Sequence, residues 1–175
     1  MRSLVLRELT IPLASLKPGV NSYTFFVKIS EEEPGFAEHF PKGFEVKCQV
    51  TPMGKDYFVE LETFGNASLA CDRCLEDFKR DLKGSVKTLF TPDRQKWEGS
   101  EGDVQLISPD ATEIQLESDV IDALSLSIPN KTLCQKDCRG LCAGCGCNLN
   151  NDSCQCSGKP TDPRWDALKN LTFDK

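Results

Sequence analysis

The sequence predicts an α+β protein, an antiparallel sheet or partly open β-barrel with one or two short helices and a cysteine-dense C-terminal appendage. Three observations predict it. Short segments rich in β-branched and aromatic residues, separated by Pro and Gly, fill residues 1–90. One helical period follows at Leu116–Ile128, and seven of the ten cysteines crowd between Cys134 and Cys156.

The predicted strands are Ser3 to Leu13, Tyr23 to Ser30, Phe44 to Thr51, Asp56 to Phe64 and Phe78 to Phe90. The clearest hairpin joins Phe44–Val50 to Tyr57–Phe64 through Pro52-Met-Gly-Lys-Asp, and its alternation suits a half-buried antiparallel sheet. A lone hairpin is marginal in water, so these strands belong to one larger sheet. Residues 91–102 hold Pro, Gly and charges without apolar period and read as a flexible loop, before a short strand at Asp103 to Ile107. Leu116, Val120, Leu124 and Ile128 stand four residues apart with Ile121 alongside, predicting one amphipathic helix ended by Pro129-Asn130. Asp162-Pro163, followed by Trp165, Leu168 and Leu171, predicts a short C-terminal helix. The expected division is a β-rich core over residues 1–130 and a cysteine-rich segment over 131–175.

Charged residues are 27% and apolar residues 39% of the 175, the balance of a folded globular chain. Arg7 and Glu8 interrupt the N-terminal apolar run before a signal-peptide core develops, and no stretch approaches a membrane span. A cytoplasmic location is expected. A reducing cytosol keeps thiols free for metal, so ten cysteines there argue against a disulfide framework. The formal charge is -6, with seven basic and five acidic residues in 131–175, leaving -8 on residues 1–130. Four thiolates around one Zn²⁺ add about -2 per site, which disfavours DNA or extensive RNA binding.

Cys71-Asp-Arg-Cys74 offers two sulfurs at a spacing from which both reach one tetrahedral ion. Such a pair alone is half a site. The distal region reads Cys134-x3-Cys138-x3-Cys142-x2-Cys145-Gly-Cys147-x6-Cys154-x-Cys156, more sulfur than one ion uses, so two Zn²⁺ ions are expected. Gly146 after Cys145 suits the positive φ of a zinc knuckle. Cys142 and Cys145 therefore open one site that Cys154 and Cys156 close, while Cys134 and Cys138 complete the site begun by Cys71 and Cys74. Other pairings remain open, including Cys71 and Cys74 with Cys142 and Cys145, and an iron–sulfur cluster also accepts cysteine ligands. Cys48 reads as a buried small hydrophobe and Cys147 as a spare thiol. His39 reads as a loop histidine and Glu31–Glu33 as a solvated turn. With no nucleophile elbow, phosphate-cradling loop or H-E-x-x-H, no catalytic residue is predicted.

Ser68-Leu-Ala-Cys71-Asp-Arg-Cys74-Leu-Glu-Asp-Phe78, Leu126-Ser-Ile-Pro129, Cys134 through Asn150, Cys154-Gln-Cys156 and Asp162 through Leu171 together resemble the YceD-like family of large ribosomal RNA subunit accumulation proteins. The resemblance covers roughly residues 45 to 172. It implies a bacterial, cytoplasmic protein with plastid relatives that supports accumulation of large-subunit rRNA. Some members lack the second cysteine cluster yet keep ligand-type residues near the positions of Cys134 and Cys138, which favours the first pairing. Ala143 stands where the family often has proline, and Cys147 is an extra thiol. The leading expectation is a non-enzymatic zinc factor whose acidic core suits a basic ribosomal protein or a large-subunit assembly intermediate. The alternatives are a direct RNA binder using Arg139, Lys159, Arg164, Lys169 and Trp165, and a thiol redox protein using Cys71 and Cys74.

Overall fold

Alternation of apolar and polar residues builds the central strands. The computed structural model describes residues 3–4, 8–28, 34–97, 103–156 and 164. In chain order the elements are β1 (Ser3–Leu4), β2 (Thr10–Pro12), β3 (Asn21–Val27), α1 (Pro34–Ala37), β4 (Phe44–Met53), β5 (Asp56–Ala70), β6 (Asp77–Thr91), β7 (Asp103–Leu106), β8 (Glu113–Gln115) and α2 (Glu117–Ser127). Six strands form one mixed sheet in the order β1-β3-β4-β5-β6-β7, open at β1 and β7, and β2 pairs with β8 in a second small sheet. The protein is thus mostly sheet, and the sheet does not close into a barrel.

Phe44, Val46, Cys48 and Val50 face the core from β4, and Val59, Leu61 and Thr63 do so from β5, with polar residues between them. The predicted hairpin is present in register, Met53 opposite Asp56 and Val50 opposite Val59. Gly54 sits at φ +74 at the first central turn position, where a two-residue hairpin of matching twist needs it. Cross-strand pairs Asn66–Asp81, Glu62–Lys83 and Glu60–Lys87 show that β5 and β6 run in opposite directions. At the two edges pairing is parallel, β1 to β3 and β7 to β6.

α2 buries Val120, Ala123 and Leu124, with Leu116 buried just before it, as the four-residue spacing predicts. It lies so close to β6 that a Cβ on Gly84 would meet the Ala123 carbonyl oxygen at 1.9 Å and Thr63 Oγ1 at 2.7 Å. Asp119, in its first turn, is buried; Thr88 Oγ1 donates to its carboxylate, and Gln105 Nε2 donates to both oxygens at 3.3 Å. Burial raises its pKa, opposed by those donors.

The structure departs from the predicted elements in three places. The expected strand Ser3 to Leu13 is two short strands in different sheets, because Leu9 and Ile11 point into the core while Thr10 pairs with Gln115. The expected loop at 91–102 begins with buried Thr91, whose Oγ1 donates to Asp56, and continues into a 3-10 turn at Arg94–Trp97. β5 runs on to Ala70, well past Phe64. The predicted C-terminal helix, apart from Arg164, and the Glu31–Glu33 turn lie outside the described residues. Among the described residues, no helix is long and apolar enough to cross a membrane.

The chain divides into two compact units: residues 1–69 with 77–132, which hold the sheets and α2, and residues 70–76 with 133–175, which hold nine of the ten cysteines. The tip between β5 and β6 thus belongs to the cysteine-rich unit.

Gly84→Ala should destabilise the sheet unit by about 1–3 kcal/mol or more, since backbone on α2 must move to admit a methyl group. Thermal and urea melts followed by circular dichroism check this; an unchanged midpoint would contradict the close packing.

Candidate metal centres

Two turns of the same design present the paired cysteines. In the first, Leu75 N–H donates to the Cys71 carbonyl at 2.9 Å and Cys71 N–H donates to the Glu76 carbonyl at 3.0 Å. The second repeats this pattern, Gly146 N–H to the Cys142 carbonyl at 2.9 Å and Cys142 N–H to the Cys147 carbonyl at 2.9 Å. Each turn needs a left-handed residue after its second cysteine. Gly146 supplies it at φ +75, and in the first turn Leu75 takes φ +60, at a steric cost glycine avoids.

The first group is Cys71, Cys74, Cys134 and Cys138, whose four sulfurs all lie within 4.8 Å of one another. Cys71 Sγ is 3.8 Å from Cys138 Sγ, and Cys74 Sγ is 3.8 Å from Cys134 Sγ. Four sulfurs at about 2.3 Å from a tetrahedral ion would lie about 3.8 Å apart. Disulfides, at about 2 Å, do not fit these separations. Cys71, Cys74 and Cys138 are buried and Cys134 is half-buried. Neighbouring backbone locks the arrangement: Arg73 Nη1 donates to the Cys138 carbonyl at 2.8 Å, and Leu141 N–H donates to the Arg73 carbonyl at 3.1 Å. Asn150 Nδ2 donates to Cys138 Sγ at 3.3 Å.

In the second region the four sulfurs within 4.8 Å of one another belong to Cys142, Cys145, Cys147 and Cys154. Cys154 Sγ is 3.2 Å from Cys142 Sγ and 3.6 Å from Cys145 Sγ. Here the structure differs from the sequence reading, which takes Cys156 as the fourth ligand and leaves Cys147 spare. Gly146 is the reason, since its turn brings residue 147 back beside residue 142. Cys156 stays next to the group: its N–H donates to Cys154 Sγ at 3.3 Å, and a Cβ on Gly144 would lie 3.3 Å from its sulfur. Five sulfurs therefore gather here, with Cys145 and Cys156 exposed.

Burial pushes the Cys71 thiol up, but backbone N–H groups of Cys134, Cys74 and Arg73 outweigh it and bring it down to about 6. Cys142 falls to about 6 through the Cys145 N–H, the Cys154 side chain and the Gly144 N–H. Burial and then the neighbouring sulfurs of Cys138 and Cys71 push Cys134 up to about 12. In the second group the Cys145 sulfur and then burial push Cys147 up to about 12, so each group contains an easily ionised thiol beside one that resists ionising. Only a cation among the sulfurs lets all of them ionise together.

The remaining candidates are accounted for within the sheet unit. Cys48 is fully buried in β4 and is pushed up to about 12 by burial, then by Asp119, as suits a small core residue. His39 is half-buried, its Nδ1 3.3 Å from the Ser68 carbonyl oxygen. The sequence gives no direct sign of Leu75's conformation or of the contacts made by Arg73 and Asn150. The Asn-rich turn at 148–152 is the one available hint at the last of these.

A chain with a mixed-sheet unit and a second unit carrying two four-cysteine groups, each of which could hold a metal ion, is a cysteine-knuckle protein. Residues 59–172 match the family described as Large ribosomal RNA subunit accumulation protein YceD, and the chain belongs to that family. It is 35% identical over 99 residues to an uncharacterised protein of Mycobacterium tuberculosis, covering 56% of this chain and 47% of that one. It is 26% identical over 160 residues to the chloroplastic Large ribosomal RNA subunit accumulation protein YCED homolog 1 of Arabidopsis thaliana, covering 75% and 50%. An uncharacterised Mycobacterium leprae protein is 32% identical over 105 residues, covering 58% and 46%. The chain spans about half the length of these curated relatives. No solved structure matches it.

Gly146→Ala should weaken metal binding at the second group about tenfold, because the added methyl meets open space and the cost is backbone strain alone. Leu75→Gly should not weaken the first group, since the Leu75 side chain is 68% exposed and its strain is relieved. Competition with a chromogenic chelator measures both; equal effects of the two changes would contradict the shared turn.

Proposed function

We propose that the protein is a non-catalytic zinc-binding factor of the bacterial cytoplasm that supports accumulation of large-subunit ribosomal RNA, acting through a basic ribosomal protein or a large-subunit assembly intermediate. The observation that carries the metal reading is the set of sulfur separations near 3.8 Å in the first group. An all-thiolate tetrahedral donor set suits Zn²⁺ and is closed to substrate, so the ions serve folding. Such a module depends on metal because the segment from Cys134 to Cys156 holds too few aliphatic residues for a core.

The rRNA role follows from family membership and from the name of the Arabidopsis relative. Charge favours a protein or ribonucleoprotein partner over naked RNA, since residues 1–130 carry -8 and metal-bound thiolates add negative charge. The redox reading requires free Cys71 and Cys74 thiols, yet each has a sulfur from Cys138 or Cys134 at 3.8 Å.

Purified protein should carry about two zinc ions and no stoichiometric iron, measured by elemental analysis. One metal or none would remove the two-site reading, and iron with labile sulfide would replace it with clusters. Depletion in cells should lower mature large-subunit rRNA relative to small-subunit rRNA, read by quantitative gel analysis. Fragments of large-subunit rRNA should bind the isolated protein weakly and lose it as salt rises. A salt-resistant, sub-micromolar complex lost on changing Arg139 and Arg164 would turn the reading toward direct RNA binding.

A further inference from the structure

Asn150 lies in the loop between Cys147 and Cys154, two members of the second sulfur group, yet its side chain is spent on the first. Nδ2 donates to Cys138 Sγ at 3.3 Å and to Asn148 Oδ1 at 2.8 Å. Oδ1 accepts the Arg139 N–H at 2.8 Å and the Gln135 Nε2–H at 3.3 Å. Both donors and both acceptor positions of the amide are used, so its orientation is determined by its partners. The adjoining backbone follows the same path: Leu149 N–H donates to the Gly140 carbonyl at 2.9 Å. Asn148 holds the turn in shape by accepting the Asn150 N–H on its Oδ1 at 3.0 Å and the Asp152 N–H on its carbonyl at 2.8 Å.

We propose that Asn150 is a positioning residue that couples the two cysteine groups, so that ordering the second group's loop sets the metal affinity of the first. The proposal rests on the metal-binding reading above. An N–H aimed at a thiolate stabilises its charge and orients its lone pairs toward the ion, and loss of such a partner typically weakens metal binding about 10–100-fold. Asn150 can hold its place only while the 148–154 loop is folded, and metal at Cys147 and Cys154 closes that loop. Coupling between two bound ions is reciprocal, so the first ion helps the second by the same factor.

The test uses the full reduced chain and Co²⁺, whose thiolate charge-transfer and d–d bands report tetrathiolate coordination, with a competing chelator to measure affinity. Asn150→Ala should lower first-group affinity about 10–100-fold and move its charge-transfer band to longer wavelength, because a thiolate without its N–H donor is the stronger electron donor. Asn150→Asp keeps the acceptor for Arg139 and Gln135 but removes the donor to sulfur. It should weaken binding at least as much as alanine, even if alanine loosens the whole unit. Changing Cys145 and Cys154 to Ser, which disables the second group, should lower first-group affinity, and adding Asn150→Ala on top should then have little further effect. Circular dichroism of the sheet unit confirms that the variants remain folded.

Additive effects in that cycle, or wild-type affinity and spectrum in Asn150→Ala, would overturn the coupling while leaving two metal sites in place. Absence of tetrathiolate Co²⁺ bands in the unaltered chain would overturn the metal reading, and the coupling with it.

Discussion

Four sulfurs held within 4.8 Å of one another cannot all carry charge unless a cation sits among them, and that constraint makes each four-cysteine group a candidate metal site. Three of the first group's cysteines are buried, where an unpaired thiolate is costly. Between Cys134 and Cys156 the sequence offers few aliphatic residues to bury in compensation. The backbone there is instead ordered by turns that point N–H groups at sulfur or return the chain beside it, as at Gly144 and Gly146. Ligand position and backbone geometry are therefore linked: the turns set where the sulfurs lie, and an ion bound by those sulfurs would hold the turns.

The sheet unit obeys a different physics. Its core is a continuous set of buried aliphatic and aromatic residues, including Phe40, Phe44, Val46, Leu61, Ile114 and Leu124, and needs no ion. Its constraint is close approach, set where Gly84 of β6 meets Ala123 of α2. The chain leaves this unit after Leu69 and re-enters it at Asp77, so two of the first group's ligands come from a strand connection and two from a segment some sixty residues later. Folding of the cysteine-rich unit thus joins distant parts of the chain, a long loop closure that a bound ion would stabilise.

What could be read from the residues alone divides along the same line. The β4–β5 hairpin was legible because alternation and a Pro- and Gly-containing connection are local signals, although the strands run on to Met53 and Asp56 and leave a turn tighter than the Pro52-to-Asp56 connection read from the sequence. α2 was legible from the spacing of Leu116, Val120 and Leu124. The β2–β8 pair was not, because three-residue strands carry too little pattern and the pairing joins residues far apart in sequence. Parallel pairing at both sheet edges was equally hidden, since period two is the same for either direction. In the cysteine-rich unit, the grouping of Cys71 and Cys74 with Cys134 and Cys138 was one of several pairings that the spacing allowed, favoured by the family resemblance and not fixed by counting. The place of Cys147 was not legible, because spacing says how far a sulfur can reach and not which way a glycine turns the chain. Leu75 carried no signal, as its side chain type argues against the conformation it adopts.

The two groups also differ in what the surrounding water can touch. Cys71, Cys74 and Cys138 are sealed from solvent, whereas in the second group Cys145 lies open, and the exposed Cys156 stands beside it as a fifth sulfur. A surplus thiol next to an exposed ion lets ligands swap one at a time, each departing sulfur replaced before the ion is bare. Associative exchange of that kind lowers the barrier to release without lowering the affinity at rest. An ion held by the first group would therefore exchange more slowly than one held by the second.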